Sequence, residues 1–194
     1  MIRQLRPFYS AEELPGIYDH VYDHTRWEDH KIRVAATIHI ARWMRDHMGA
    51  KSGADFSAGD GAILRGCGLE RAVYGDFHAD PYAHPDETWI NGMNLEDPEM
   101  WPQAVPTDLY ICSETLEHVQ DPQRLLRNIR QSASALVLST PEGEEGDGNP
   151  EHYWGWDRHD IRGMLESAGW QPVVCTILDT AVPGGYTYQI WGCV

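Results

Sequence analysis

Basic charge is scarce in this chain: 15 lysines and arginines stand against 30 aspartates and glutamates, a formal net charge of −15 over 194 residues. That balance disfavours nucleic acid as a partner, because a protein holds a polyanion by releasing counterions from its phosphates with lysine and arginine. Arg124, Arg127 and Arg130 recur at helical spacing and read as a solvated helix face, with a local basic patch as the alternative. Cysteine is also sparse. Cys67, Cys112, Cys175 and Cys193 include no C-x-x-C pair, so neither a zinc knuckle nor a disulfide framework is indicated, and a reducing, cytoplasmic compartment is the expectation. No apolar run approaches the ~20 residues that span a bilayer, and no charged-then-apolar leader opens the chain. Internal repeats and low-complexity tracts are missing. So are the G-x-G-x-x-G of a dinucleotide site and the G-x-x-x-x-G-K-[ST] of a P-loop.

The length predicts a single domain, and a hydrophobic content of 42% is enough for a real core. Residues 1–48 read as an N-terminal helical cap on a core spanning 49–194. Ser10-Ala-Glu-Glu13 resembles a capping box. A second helix is expected from about Thr25, with Ile32, Ala36, Ile40, Trp43 and Met44 at a 3.6 period as its buried stripe. From Lys51 short apolar runs alternate with helical stretches, the pattern of an α/β protein with a parallel sheet. Strands are expected at residues 53–57, 72–76, 88–91, 108–113 and 135–141. Helices are expected after Asp121-Pro122, where proline suits the first turn, and over 157–169. Residues 171–180 and 186–191 form a closing pair of strands joined by Val182-Pro-Gly-Gly, a hairpin signal. Residues 78–87, and the acidic stretch from Gly143 to Asn149, read as loop.

The first strand runs into Asp55-Phe-Ser-Ala-Gly-Asp-Gly61, a glycine turn followed by a helix. Glycine there supplies φ > 0 and lets the backbone approach a ligand, and the helix start offers unpaired N–H groups. Asp55 and Asp60 flank the turn, which suits a ligand carrying positive charge better than a pyrophosphate. Asp76 ends the second strand about 20 residues beyond Asp55, where doubly wound folds place the acid that accepts hydrogen bonds from ribose hydroxyls. A turn residue is the alternative for Asp76. Phe77 beside it is placed to pack on an adenine.

The Asp55–Gly61 segment resembles the first motif of the class I S-adenosylmethionine-dependent methyltransferases, with Ser57 in place of the first glycine. A second block is similar to the segment after the fourth strand in many of that family: Ser113-Glu-Thr-Leu-Glu-His-Val-Gln-Asp-Pro122, an apolar helix, and a strand ending in Thr140-Pro141. Pro150-Glu-His152 and Ala168-Gly-Trp170 extend the resemblance over residues 50–170. It implies a Rossmann-like seven-stranded sheet, mostly parallel with an antiparallel C-terminal strand, helices on both faces and an N-terminal helical lid. The implied cofactor is S-adenosylmethionine, contacted by Asp55, Ser57, Ala58, Gly59, Gly61, Asp76, Phe77, Asn94, Leu95, Ser113 and Glu114. Met93 and Asn91 are alternatives to Asn94. A leading helical segment often covers the active site in this family, which makes Tyr22, His24, Trp27 and His30 candidate acceptor contacts. His20 and His24 would share a helix face, as metal ligands can. Tyr153, Trp154 and Trp156 either wall the acceptor pocket or pack the last helix on the sheet.

Methyl transfer from a sulfonium is an in-line displacement, so the protein mainly supplies proximity and a dry cavity. A hydroxyl acceptor needs a base, and His118 and His152 are the candidates. Glu114, Glu117 and His118 at i, i+3 and i+4, closed by His152, also resemble the metal set of the RNA 2′-O-methylating and ubiquinone-pathway O-methyltransferases; a divalent cation there would act as a Lewis acid. Without metal, Glu114 touches the cofactor, Glu117 caps a turn and His118 orients the loop. The resulting expectation is methyl transfer to a small molecule, with O-methylation ahead of N-methylation, by a monomer or homodimer. Two alternatives stay open: a non-catalytic cofactor-binding or partner subunit, and a nicotinamide oxidoreductase, against which the flanking acids and the missing third glycine argue.

Overall fold

The computed structural model describes residues 1–10, 12–17, 23–24, 26–77, 83–101, 106–143 and 148–194. His20 and Tyr22 lie outside the described residues. A seven-stranded sheet is built from β2 (Ser52–Asp55), β3 (Arg71–Asp76), β4 (Thr88–Asn91), β5 (Thr107–Ser113), β6 (Ala133–Pro141), β8 (Pro172–Asp179) and β9 (Thr187–Cys193), in the order β4-β3-β2-β5-β6-β9-β8. β4 through β6 pair in parallel, and β9 runs antiparallel to both β6 and β8. A two-stranded antiparallel pair, β1 (Arg3–Gln4) with β7 (Trp154–Gly155), stands beside it.

Period-2 alternation on the central strands divides the core. Tyr110 and Cys112 of β5, with Leu136 and Leu138 of β6, point to the face covered by α4 (Pro122–Ser132) and α5 (Arg158–Ser167). Leu109 and Ile111, with Ala135 and Val137, point to the face covered by α2 (Glu28–Met48) and α3 (Ala62–Cys67). Asp121 caps α4 by accepting the Arg124 N–H at 2.8 Å, with Pro122 at the first turn. Asp157 and Asp160 close a capping box at α5. The strand order reverses between β2 and β5, with β3 and β4 added on one side and β5 and β6 on the other, and in open α/β sheets the crevice at the carboxyl ends of the strands at such a switch point is where ligands sit.

The N-terminal region differs from an all-helical cap. It opens with β1, and its first helix, α1 (Leu14–Ile17), is a single turn entered where the Ser10 N–H donates to Glu13 Oε2 at 2.7 Å. The stripe expected on α2 is also displaced. The buried residues are Asp29, Arg33, Thr37, Ala41 and Met44, whereas Ile32 is 39% and Trp43 43% exposed; Ala36 and Ile40 pack on the flank, partly buried. The N-terminal half of α2 lies over the polar carboxyl edge of the sheet, so the side chains facing inward there are those that hydrogen-bond, and hydrophobic periodicity selects the wrong face. Among the described residues no helix is long and apolar enough to cross a membrane.

Candidate functional site

A cavity of about 1070 Å³ opens at the carboxyl edge, between the glycine turn, the loops after β3 to β5, the segment before α2 and the β8–β9 turn. In the glycine turn Gly59 and Gly61 take φ of 55° and 72°. A Cβ on Gly61 would come within 3.0 Å of Arg65 Nη2 and 3.2 Å of Trp89, so both conformation and space call for glycine. The Gly59 N–H donates to Asp76 Oδ2 at 2.8 Å, which fixes the end of β3 against the turn. Ser57, Gly59, Asp76, Phe77, Met93, Asn94 and Leu95 line this half of the cavity.

Asp55, Ala58 and Gly61 do not line it. Ala58 is buried in the core, and Gly61 packs under Arg65 and Trp89. Asp55 is 3% exposed, its Oδ1 accepting the Ser57 N–H at 3.1 Å, and burial pushes its carboxyl up to about 7 despite that bond, with Asp76 adding to the rise. Asp60 does not offer its charge to a ligand either. Its Oδ1 accepts the Ala62 N–H at 3.0 Å at the start of α3 and lies 2.6 Å from His24 Nδ1, while Oδ2 accepts the His24 N–H at 3.2 Å.

The raised Asp55 pKa carries a stability consequence with a definite sign. The folded protein binds the proton up to about pH 7, whereas the unfolded carboxyl releases it near the ordinary aspartate value of 3.8. Stability contributed by the neutral form is therefore full below that lower value and is lost as pH rises towards 7, by about 1.4 kcal/mol per pH unit. Asp55→Asn, neutral throughout, should gain on wild type across that window and hold a constant advantage above it, as read by thermal melts of both proteins from pH 4.5 to 8.5. A gap that does not change with pH would refute the assignment.

On the other half, Ser113, Glu114 and Thr115 leave the end of β5. Glu114 has φ 52°, a left-handed conformation rare outside glycine, which turns its side chain over the sheet edge. Its N–H donates to the Ser139 carbonyl at 2.9 Å and its Oε1 accepts the Ser139 hydroxyl at 3.3 Å. Burial raises the Glu114 carboxyl, while Arg33 and then His152 pull it back towards ionisation. Next to it Glu117 is fully buried, with Oε2 accepting the Thr140 hydroxyl at 3.0 Å. His118 and His152 meet edge to face at 4.8 Å, and the Asn149 amide donates to His152 Nε2 at 2.9 Å. Ligand atoms of Glu117, His118 and His152 lie within 4.8 Å of one another; Glu114, the fourth member of the expected metal set, is outside that group, because its backbone carries it towards Ser139.

His24, Trp27, His30, His118, His152 and Tyr153 also line the cavity, His24 from beside the glycine turn through its contacts with Asp60. Burial, followed by the nearby Arg33 charge, lowers His30 to about 4, so its imidazole is neutral at physiological pH. Trp154 and Trp156 are not pocket walls. Trp154 Nε1 donates to the Val119 carbonyl at 2.8 Å, and Trp156, 2% exposed, donates to Thr140 Oγ1 at 3.0 Å within the core under α5. Sequence reasoning missed Arg33, Asp29, Glu151 and Tyr186. Asp29 accepts the Tyr186 N–H and the Tyr188 hydroxyl, each at 3.3 Å, and so ties the start of α2 to the β8–β9 turn. The available signal was the i, i+4 polar series Asp29, Arg33, Thr37 running along α2.

A family model described as a methyltransferase domain matches residues 36–175. Among solved structures, the chain resembles the 1,6-didemethyltoxoflavin N1-methyltransferase of Burkholderia thailandensis, crystallised with 1,6-didemethyltoxoflavin and S-adenosylhomocysteine, at 15% identity and TM-score 0.65, covering 99% of this chain and 93% of that one. It also resembles the magnesium protoporphyrin IX methyltransferase of Synechocystis PCC 6803 with bound S-adenosylhomocysteine, at 15% identity and TM-score 0.64, covering 94% and 93%. Human N-acetylserotonin methyltransferase in complex with S-adenosylmethionine matches at 14% identity and TM-score 0.61, covering 95% of this chain and 59% of that one. No curated protein sequence matches the chain.

Proposed function

The chain belongs to the methyltransferase-domain family, and on that premise we propose that it transfers a methyl group from S-adenosylmethionine to a hydroxyl of a small molecule, in the cytoplasm. The observation that carries this reading is the division of one cavity into two unlike halves. Its volume of about 1070 Å³ lies just above the roughly 300–1,000 Å³ of a single small-molecule site. The half beside Asp76 has a carboxylate for ribose hydroxyls, Phe77, Met93 and Leu95 for an apolar ring, and Asn94 for a ring's polar edge. The half beside His118 has imidazoles and a phenol.

Bound S-adenosylmethionine would supply an electrophilic methyl group, whose bond to sulfur breaks as the acceptor oxygen bonds to it and S-adenosylhomocysteine leaves, so no covalent help from the protein is needed. Asp76 and the glycine turn would hold the cofactor's adenosine part, and Ser113 and Glu114 its charged end. His118 takes the proton from the acceptor hydroxyl, and His152, held by Asn149, orients His118 by its edge-on contact. An imidazole is needed for a hydroxyl but not for a neutral amine, which already carries its lone pair; this favours O-methylation, although the toxoflavin neighbour is an N1-methyltransferase. Neutral His30 and the carboxylates of Asp29 and Glu151 suit a neutral or cationic acceptor.

Calorimetric titration tests the cofactor assignment. Wild type should bind S-adenosylmethionine and S-adenosylhomocysteine at micromolar concentration and fail to bind NADH. Asp76→Ala should weaken both nucleosides by at least about tenfold, or about 1.4 kcal/mol. Binding of NADH alone, or of nothing, would reject the reading.

A further inference from the structure

Arg33 is completely buried in α2, yet its partners are hydroxyls and not a carboxylate. Nη1 donates to Ser113 Oγ at 2.6 Å and more weakly to Ser139 Oγ at 3.4 Å, while the two serine hydroxyls are 2.7 Å apart. Nε and Nη2 have no hydrogen-bond partner, and the guanidinium lies 5.5 Å over the Tyr188 ring. A guanidinium buried with two orphan donors is expensive unless its charge serves something. The nearest opposite charge in the network is Glu114, which shares Ser139 with it: Ser139 Oγ is 3.3 Å from Glu114 Oε1. A cation thus lies just under the cavity floor and a carboxylate on the floor, both tied to the ends of β5 and β6. The adenosine-facing residues Asp76, Phe77 and Asn94 follow β3 and β4 on the other side of β2.

We propose that Arg33 is a positioning residue for a zwitterionic amino-acid group: its guanidinium below the floor and the Glu114 carboxylate upon it form a fixed pair of opposite charges that orients the carboxylate and the ammonium of the cofactor's amino-acid end. The inference rests on the cofactor reading above. Arginine suits the task because Nη1 alone reaches both serines while the charge of the guanidinium cannot be discharged. Through Ser113 and Ser139 the charge acts at the ends of β5 and β6, and Thr115, which donates to the Ser113 carbonyl and lies 2.6 Å from Ser57 Oγ, continues that network to the glycine turn.

The test compares two probes that share adenosine and sulfur and differ in the amino-acid end: S-adenosylhomocysteine, which has it, and 5′-methylthioadenosine, which lacks it. Calorimetry on wild type, Arg33→Met and Arg33→Lys, with thermal melts of each, reads the difference. Arg33→Met should weaken S-adenosylhomocysteine by about tenfold or more while leaving 5′-methylthioadenosine within about twofold, and Arg33→Lys should recover part of the loss. Equal weakening of both probes would make Arg33 a purely structural residue and overturn the inference, as would no change in either. If Arg33→Met does not fold, Ser139→Ala cuts the link to Glu114 with Arg33 in place. It should then cost S-adenosylhomocysteine about threefold or more and spare the other probe; an equal cost to both would again overturn the inference. Failure of wild type to bind either probe would remove the cofactor reading itself, and the inference with it.

Discussion

Replacing His118 by alanine should lower kcat by about 10²–10⁴-fold, the usual contribution of a positioned base, while S-adenosylhomocysteine binds as in wild type. His118 is at the end of the 3-10 turn Leu116–His118, itself held because the Glu117 carbonyl accepts the Tyr153 N–H at 2.8 Å. The same bond brings His152 alongside, so two segments more than 30 positions apart present their imidazoles together. The measurement is single-turnover methyl transfer to a phenolic or alcoholic acceptor found by screening, run with and without EDTA. A rate that EDTA leaves unchanged and the alanine variant abolishes supports His118 as the base. Loss of rate with EDTA, restored by magnesium, would instead assign Glu117, His118 and His152 to a cation, the arrangement that their clustering within 4.8 Å permits. Undiminished turnover by the variant would dismiss both roles.

The largest expected loss of stability is at Trp191. The side chain is 1% exposed in β9, the strand that joins the parallel part of the sheet to its edge. Its Nε1 donates to Gln189 Oε1 at 2.8 Å and its ring lies 5.6 Å beneath the Arg162 guanidinium of α5. Trp191→Ala removes the ring, leaves Gln189 with a buried unmet acceptor, and opens a void between α5 and the sheet. Such changes cost about 3–5 kcal/mol. For a chain of this size the melting temperature should fall by roughly 10 °C or more, as differential scanning calorimetry would register. A fall of only a degree or two would mean that α5 collapses into the void.

The sheet was legible because its strands obey simple rules. Thr88–Asn91 begins and ends where the apolar run does, and β5 and β6 alternate cleanly between two covered faces. Pro122 announced α4 as a residue suited to the first helical turn, and α5 was legible as an amphipathic stretch, whereas the caps Asp121 and Asp157 emerge from the structure. α2 resisted the same treatment. Its inward face carries Asp29, Arg33 and Thr37, whose burial is intelligible only once Ser113, Ser139 and Tyr186 are seen to meet them from distant parts of the chain. For the site, Asp76 was singled out by its distance from the glycine turn, and His118 and His152 by the family resemblance of the segments that carry them; all three line the cavity. Trp154 and Trp156 could not be told from core residues, because a pocket wall and a helix–sheet seam draw on the same side chains. Arg33 had no local signal beyond its place in a polar series.

The left-handed backbone at Glu114 sets two kinds of selection against each other. A non-glycine residue held there costs on the order of 1 kcal/mol, which a glycine would return to the folded state. A library screened for heat resistance alone would therefore drift towards glycine at this position, discarding the carboxylate at the cavity floor, a loss that a melting curve never reports. Thermostable descendants of this chain should accordingly be sought with position 114 held constant.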